Sequence, residues 1–293
     1  MTRAPSLSRF AIYVNRAKEP AVDAVERVRS AVGQAGGELR IECETSQPQE
    51  ELREMVRGME VDAVICLGGD GTILRGARVF GAEGLPLLGV NLGRLGFLAE
   101  IGPREIALAV ERLVEGRYTV VDRAGIRCRV RRGRRVLWEM DGLNEVLVMG
   151  RSSGRISRVR AHINGELLTT YKADGVIVAT PTGSTGHALS AGGPVVSPNM
   201  KALLIQPVCP HTLAVRPMVI SDQETITLRP APGKSDLVVT VDGQVSTSLA
   251  PGDRLEVQAL PEPYRVLRVT SAGYYTLLRR KLGWRGSAPG GKS

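Results

Sequence analysis

The chain has 293 residues, 43% of them hydrophobic and 24% charged, with a formal net charge of +9. That length and balance fit one or two globular domains and exclude a disordered or fibrous protein. Aromatics at 4% argue against a stacking platform for single-stranded nucleic acid, and the excess positive charge fits polyanionic small molecules.

Strand and helix patterns alternate through the first third. Phe10–Val14 reads as a strand. Ala21–Gly36 reads as a helix, with Val22, Val25, Val28 and Val32 at helical spacing and glycine near its end. A strand at Leu39–Cys43, a helix at Glu50–Met59 and a buried strand at Val61–Leu67 follow. Next come a glycine turn, a helix at Thr72–Phe80, a strand at Leu85–Asn91 and a helix at Ile106–Val114. This alternation predicts an α/β domain with a parallel sheet over 1–117, and ligands in such sheets sit beyond the carboxyl ends of the strands.

From Tyr118 short strands take over, among them Val120-Val121, Ile126–Val130, Val136–Trp138, Val146–Val148, Val159–Ile163, Val176–Val178, Ile226–Leu228, Leu237–Val241 and Leu255–Val257. Asn164-Gly165 is a strong hairpin signal. A mostly β sandwich over 118–270 is expected. Tyr274–Lys281 has helical propensity with a basic last turn, and residues 287–293 read as disordered.

Four cysteines (Cys43, Cys66, Cys128, Cys209) form no CxxC pair, and three histidines (His162, His187, His211) have no metal-ligand spacing. No apolar run reaches the length of a membrane span, and the run at the N-terminus is too short for a signal peptide. The expectation is a cytoplasmic protein that binds neither membrane nor nucleic acid.

Gly68-Gly69-Asp70-Gly71-Thr72 is the most informative segment. Strand, glycine turn and helix in that order present backbone N–H groups to phosphate. A carboxylate there is repelled by phosphate unless a metal intervenes or it takes a proton during reaction. Asp70 therefore reads as a base or metal contact in phosphoryl transfer. Glu145, at the start of the strand Val146–Val148, shares its face with Leu143, Leu147 and Met149, so it needs a partner or ligand; a solvated edge position is the alternative. Thr180–Gly186 packs four hydroxyls and two glycines into seven residues, a loop suited to a nucleotide or sugar, or else a plain polar turn. Asn91–Leu98 follows a strand at the same sheet end, with Phe97 either a cleft wall or a core residue. Arg131-Arg132-Gly133-Arg134-Arg135 reads as an exposed basic hairpin tip.

In order along the chain, Gly68–Thr72, Asn91–Phe97, Asn144-Glu145, Asp174–Thr185, Ser190–Pro194, Cys209–Leu213, Arg216-Pro217 and Asp242-Gly243-Gln244 resemble the NAD kinase family. The first motif alone also resembles lipid kinases. The resemblance implies an α/β domain, a β-sandwich, and a tail from 271 that packs back on the first domain. It implies transfer of the terminal phosphoryl group of ATP, or of polyphosphate, to the adenosine 2′-hydroxyl of NAD, with Mg²⁺ as cofactor and no metal ligand from the protein itself. Asp70 resembles the base. Gly68, Gly69, Gly71 and Thr72 resemble the phosphate contacts. Gly71, Arg75, Phe97, Asn144, Glu145, Thr182, Ser184, Thr185, Gly186, His187 and Gln244 are implied NAD contacts. Asp174 resembles a residue that reaches the NAD of a neighbouring subunit, which implies a homodimer or homotetramer. Gly186-His187 departs from the family pattern, which carries Ala-Tyr there. Two other readings compete: a lipid kinase, which the hydroxyl-rich loop and the lack of an amphipathic anchor oppose, and a non-catalytic nucleotide sensor, which the presence of Asp70 opposes.

Overall fold

The computed structural model describes residues 4–93, 96–151, 156–212, 214–232, 236–271 and 273–284. The tail expected to be disordered, and Arg94, Leu95 and Leu213 of the sequence motifs, lie outside those residues. The chain forms two compact units, one of residues 1–121 with 265–293 and one of residues 122–264.

The first unit begins β1 (Arg9–Val14), α1 (Ala21–Gln34), β2 (Glu38–Glu44), α2 (Gln49–Arg57), β3 (Ala63–Gly68), α3 (Asp70–Val79), β4 (Leu87–Asn91), α4 (Ile106–Val114) and β5 (Thr119–Arg123). β1 lies between β2 and β3, and β4 follows β3, all parallel. Every residue of β3 is buried, as a strand covered on both faces requires. α1 buries Ala21, Ala24, Val25, Val28, Ala31 and Val32, whereas Val22 is exposed. Its apolar stripe is therefore completed by alanines at positions 3 and 4 apart, not by Val22. α3 starts at Asp70, two residues earlier than the sequence predicts, because Gly69 is extended and ends the turn there.

Asp62, just before β3, ties this sheet to the chain start. It accepts hydrogen bonds from the backbone N–H groups of Ser8 (3.0 Å) and Arg9 (2.9 Å) and from the Arg9 guanidinium (2.7 Å). Burial works against the charged carboxyl, but these donors outweigh it and hold Asp62 below the ordinary carboxylate range. A carboxyl lowered on folding stabilises the protein above its unfolded pKa, and that stability is lost as pH falls through the folded value. Asp62→Asn is expected to lower Tm by about 2–4 °C at neutral pH. The gap between variant and wild type should close below about pH 4 in thermal melts.

The second unit contains β6 (Ile126–Arg132), β7 (Arg135–Gly142), β8 (Glu145–Gly150), β9 (Ser157–Ile163), β10 (Glu166–Ala173), β11 (Gly175–Ala179), α5 (His187–Ser190), β12 (Ala202–Val208), β13 (Met218–Ser221), β14 (Ile226–Pro230), β15 (Leu237–Val241), β16 (Val245–Leu249) and β17 (Asp253–Ala259). Two six-stranded sheets, in the orders β10-β9-β14-β17-β6-β7 and β13-β12-β11-β8-β15-β16, form a sandwich. Its core draws Cys128, Val130, Ala161 and Leu255 from one sheet and Val146, Val148, Val178 and Val239 from the other. Asn164 and Gly165 both have positive φ, as the β9–β10 hairpin requires.

β18 (Tyr264–Arg268) then pairs with β4, and α6 (Tyr274–Lys281) ends the described chain. The first sheet runs β2-β1-β3-β4-β18-β5. The β pattern that starts at Tyr118 thus contributes its first strand to the α/β unit, since strand propensity carries no information about which sheet a strand joins.

Candidate active site

The glycine turn closes tightly on itself. The Thr72 side chain packs where a Cβ on Gly68 would sit, and the Thr72 and Ile73 N–H groups bond to the Gly69 carbonyl (2.9 and 3.3 Å). Asp70 is half-buried at the first position of α3, where a carboxylate is favoured by the helix dipole. It is also fixed from outside the helix. Its Oδ2 accepts from the Phe97 N–H at 2.7 Å and its Oδ1 from the Leu98 N–H at 3.1 Å. Gly96 permits this, because a Cβ there would collide with the carboxylate. Two of the roughly four lone-pair positions of Asp70 are thereby used for positioning, and the others remain for chemistry. Phe97 is half-buried, and Lys281 Nζ of α6 lies 5.2 Å from its ring centroid, a cation–π contact that sequence alone does not show. Arg75, further along α3, donates to the Gln47 carbonyl at 2.9 Å while its Nε is buried without a hydrogen-bond partner.

In the second unit, Val146 and Val148 point into the sandwich, so Glu145, Leu147 and Met149 lie on the opposite face of β8. That face is not open at Glu145. α5 and the turn before it cover it, with Ala188 packed against Ile177, Ala179 and Leu204. Glu145 is consequently 2% exposed, and β8 is an inner strand. The solvated-edge alternative fails on both counts. Its Oε1 lies 2.5 Å from His187 Nδ1, while Oε2 is buried without a partner. Burial pushes the Glu145 carboxyl above the ordinary range; the His187 hydrogen bond and charge pull it back, and the Asp242 carboxylate pushes it up again.

The hydroxyl-rich loop divides its labour. Thr180 Oγ1 donates to the Leu143 carbonyl (2.7 Å) and accepts from the Gly183 N–H (3.0 Å). Ser184, fully buried, donates to the Pro181 carbonyl (2.7 Å) and accepts from the Val196 N–H (2.9 Å). Thr185 donates to the Thr182 carbonyl at 3.0 Å. Ser184 therefore braces the loop from within, where the resemblance implies a nucleotide contact. Thr182 Oγ1 is buried with no partner, as is Asn144 Oδ1. Gly183 packs directly on the Asn144 backbone, where a Cβ would collide with the Asn144 carbonyl.

Asp242 holds this arrangement together. It is buried and accepts from the N–H groups of Leu143 (3.1 Å), Asn144 (2.8 Å) and Glu145 (3.2 Å). In the sequence Asp242 stands out only within the Asp242-Gly243-Gln244 motif of the resemblance; Asp242 and Gly243 both have positive φ. The signal for a second role was available, since an Asp at the end of an apolar strand needs donors. Gln244 and Asp174 are exposed. Asp174, His187, Ser190 and Cys209 line a cavity of about 240 Å³ over Leu147 and Ile177. The expected basic tip is narrower than its sequence, because Arg131 pairs with Glu256 and Arg132 with Asp253.

Residues 10–118 match the family described as ATP-NAD kinase N-terminal domain, and residues 143–269 match ATP-NAD kinase C-terminal domain. This chain belongs to the NAD kinase family. It is 41% identical to the NAD kinase of Gemmatimonas aurantiaca, over 85% of this chain and 86% of that protein. It is 38% identical to that of Syntrophotalea carbinolica, over 95% of this chain and 99% of the other. Among solved structures, an NAD kinase from Archaeoglobus fulgidus in complex with ATP superposes with a TM-score of 0.75 at 26% identity. The match covers 95% of this chain and all of that one. Yeast NADH kinase complexed with NADH shares the fold, with a TM-score of 0.85 at 22% identity over 98% of this chain and 91% of that one.

Glycine at 186 has a local consequence. A Cβ on Gly186 would lie 3.1 Å from Glu145 Oε2 and 3.6 Å from Asn144 Nδ2, so glycine leaves those two groups slightly more room.

Proposed function

We infer that this protein phosphorylates NAD with ATP as donor, that the acceptor is the adenosine 2′-hydroxyl, and that the product is NADP. The observation that carries the acceptor site is the set of orphaned buried oxygens Asn144 Oδ1, Glu145 Oε2 and Thr182 Oγ1. Buried polar atoms without partners cost free energy, so a site that keeps three of them awaits a ligand rich in hydrogen-bond donors. Ribose hydroxyls and the adenine amino group are such donors. In this reading Asn144, Glu145 and Thr182 hold the adenosine part, Phe97 walls the base, and Arg75, Gly186, His187 and Gln244 complete the NAD contacts. Ser184 and Thr185 fix the loop that presents Thr182.

Asp70 takes the proton of the attacking hydroxyl. Its Oδ atoms are held by two backbone N–H groups, so its orientation is set before substrate arrives. Gly68, Gly69, Gly71 and Thr72 form the turn that faces the phosphates, with the Thr72 N–H held by the Gly69 carbonyl. Because the transition state is loose, the proton moves late, and positioning and charge neutralisation supply most of the rate. Mg²⁺ enters with ATP as part of the substrate and neutralises the triphosphate. Among the described residues no group of three or more His, Cys, Asp or Glu is placed to hold a metal. Polyphosphate is a second candidate donor, its chain of charges suited to the basic protein.

We further propose a cytoplasmic homo-oligomer, dimer or tetramer, in which the exposed Asp174 contacts the NAD of a neighbouring subunit. No described helix is long and apolar enough to cross a membrane. The test is NADP formation from NAD, ATP and Mg²⁺, with ³¹P NMR of the product to place the new phosphate. A 2′-monoester supports the reading. Failure with both ATP and polyphosphate overturns it and brings the lipid-kinase and sensor readings forward.

A further inference from the structure

The Glu145–His187 pair is built asymmetrically. The Glu145 side chain is 3% exposed and that of His187 is 59% exposed, yet Nδ1 and Oε1 are only 2.5 Å apart. Among the described residues His187 is the one ion-pair partner of Glu145. The other charge acting on Glu145 is the carboxylate of Asp242, whose sign is unfavourable. Gly243 backs the imidazole, since a Cβ there would sit 3.4 Å from Cε1. Asp174 and Cys209 are the further titratable groups that share the cavity with His187. The buried carboxylate is thus steadied by a single group that water can reach.

We propose that His187 is a positioning residue acting through Glu145: its Nδ1–H holds Oε1, keeps the carboxylate ionised, and leaves Oε2 aimed at a hydroxyl of NAD, so that protonation of Glu145 releases NAD. The inference rests on the reading of Glu145 as an NAD ligand. With Nδ1–H on Oε1, the imidazole presents Nε2 outward on its exposed edge. A carboxylate acceptor is useful only while ionised, so NAD affinity falls as pH drops and Glu145 takes up a proton. Burial and Asp242 push Glu145 up; the His187 hydrogen bond and charge oppose them. Removing the imidazole removes the opposing contributions, and the loss of affinity then begins at higher pH.

The experiment is NAD binding by calorimetry from about pH 5 to about pH 8, on wild type, His187→Phe and His187→Asn, with ATP binding measured alongside. Phenylalanine keeps a ring without a donor; the asparagine amide places an N–H near the position of Nδ1. The acid limb of NAD binding in His187→Phe is expected to move up by about one pH unit, about tenfold weaker binding on that limb. His187→Asn should fall between the two, and ATP affinity should be unchanged. Superimposed limbs for wild type and His187→Phe would overturn the proposal, as would equal shifts in both variants, which would show that an N–H at the Nδ1 position does not hold Glu145. A wild type that binds no NAD at any pH removes the parent reading as well. One that binds NAD with unmoved limbs removes this inference only.

Discussion

Asp70→Asn is expected to lower kcat by about 10²–10⁴-fold, the range lost when a positioned general base is removed. NAD and ATP affinities should change far less, because the proposed NAD donors fall on Asn144, Glu145 and Thr182. The structure adds a second consequence. The Asp70 carboxylate accepts from two N–H groups, Phe97 and Leu98. An asparagine offers one oxygen and one NH₂, so one backbone N–H then faces a donor. That costs about 1–3 kcal/mol, and the backbone at Phe97 and Leu98 should loosen as well. Gly96→Ala separates the two effects. It leaves the Asp70 carboxylate chemically intact but puts a methyl group where that carboxylate lies. If positioning by the loop matters, Gly96→Ala loses kcat although the base is present. Steady-state kinetics with thermal melts on both variants read the outcome. An Asp70→Asn enzyme with wild-type kcat would rule out Asp70 as the base.

The second large effect is predicted at Asp242. This carboxylate has no role toward substrate in the mechanism above, yet three consecutive N–H groups, of Leu143, Asn144 and Glu145, end on it. Asp242→Ala would strand all three, two of them buried away from water, at about 3–6 kcal/mol in total. Against the roughly 5–15 kcal/mol that holds a typical domain folded, that is a severe loss. The expected result is a large fall in Tm of the β-sandwich unit and loss of NAD binding. Asp242→Asn, which keeps one oxygen on the Asn144 and Glu145 N–H groups, should fall between. Differential scanning calorimetry and NAD titration check both. Normal stability in Asp242→Ala would show that the N–H groups find other partners.

Much of the fold was legible locally. The apolar run before Gly68, the helical spacing in Ile106–Val114 and the Asn164-Gly165 turn each specify their own element, because strand, helix and turn preferences act over a few residues. Where local pattern misled, the cause was tertiary. Val22 fits the helical period of α1, but alanines occupy the contact with the sheet. β5 reads like any strand of the sandwich and lies in the first sheet.

The site divides in the same way. The linear chain specifies residue types and their order: the glycine turn with its single carboxylate, the Asn-Glu pair, and the loop of hydroxyls. It could not assign each hydroxyl its partner. Ser184 and Thr182 are two residues apart and look equivalent, but one is spent on Val196 and the other is left buried with nothing to bind. Nor could it show that Asp242 reaches back 97 residues to Glu145, or that α5 seals Glu145 against solvent with His187 as its one ion-pair partner among the described residues. Burial and hydrogen-bond satisfaction depend on which distant segments pack together, and only the tertiary structure supplies that.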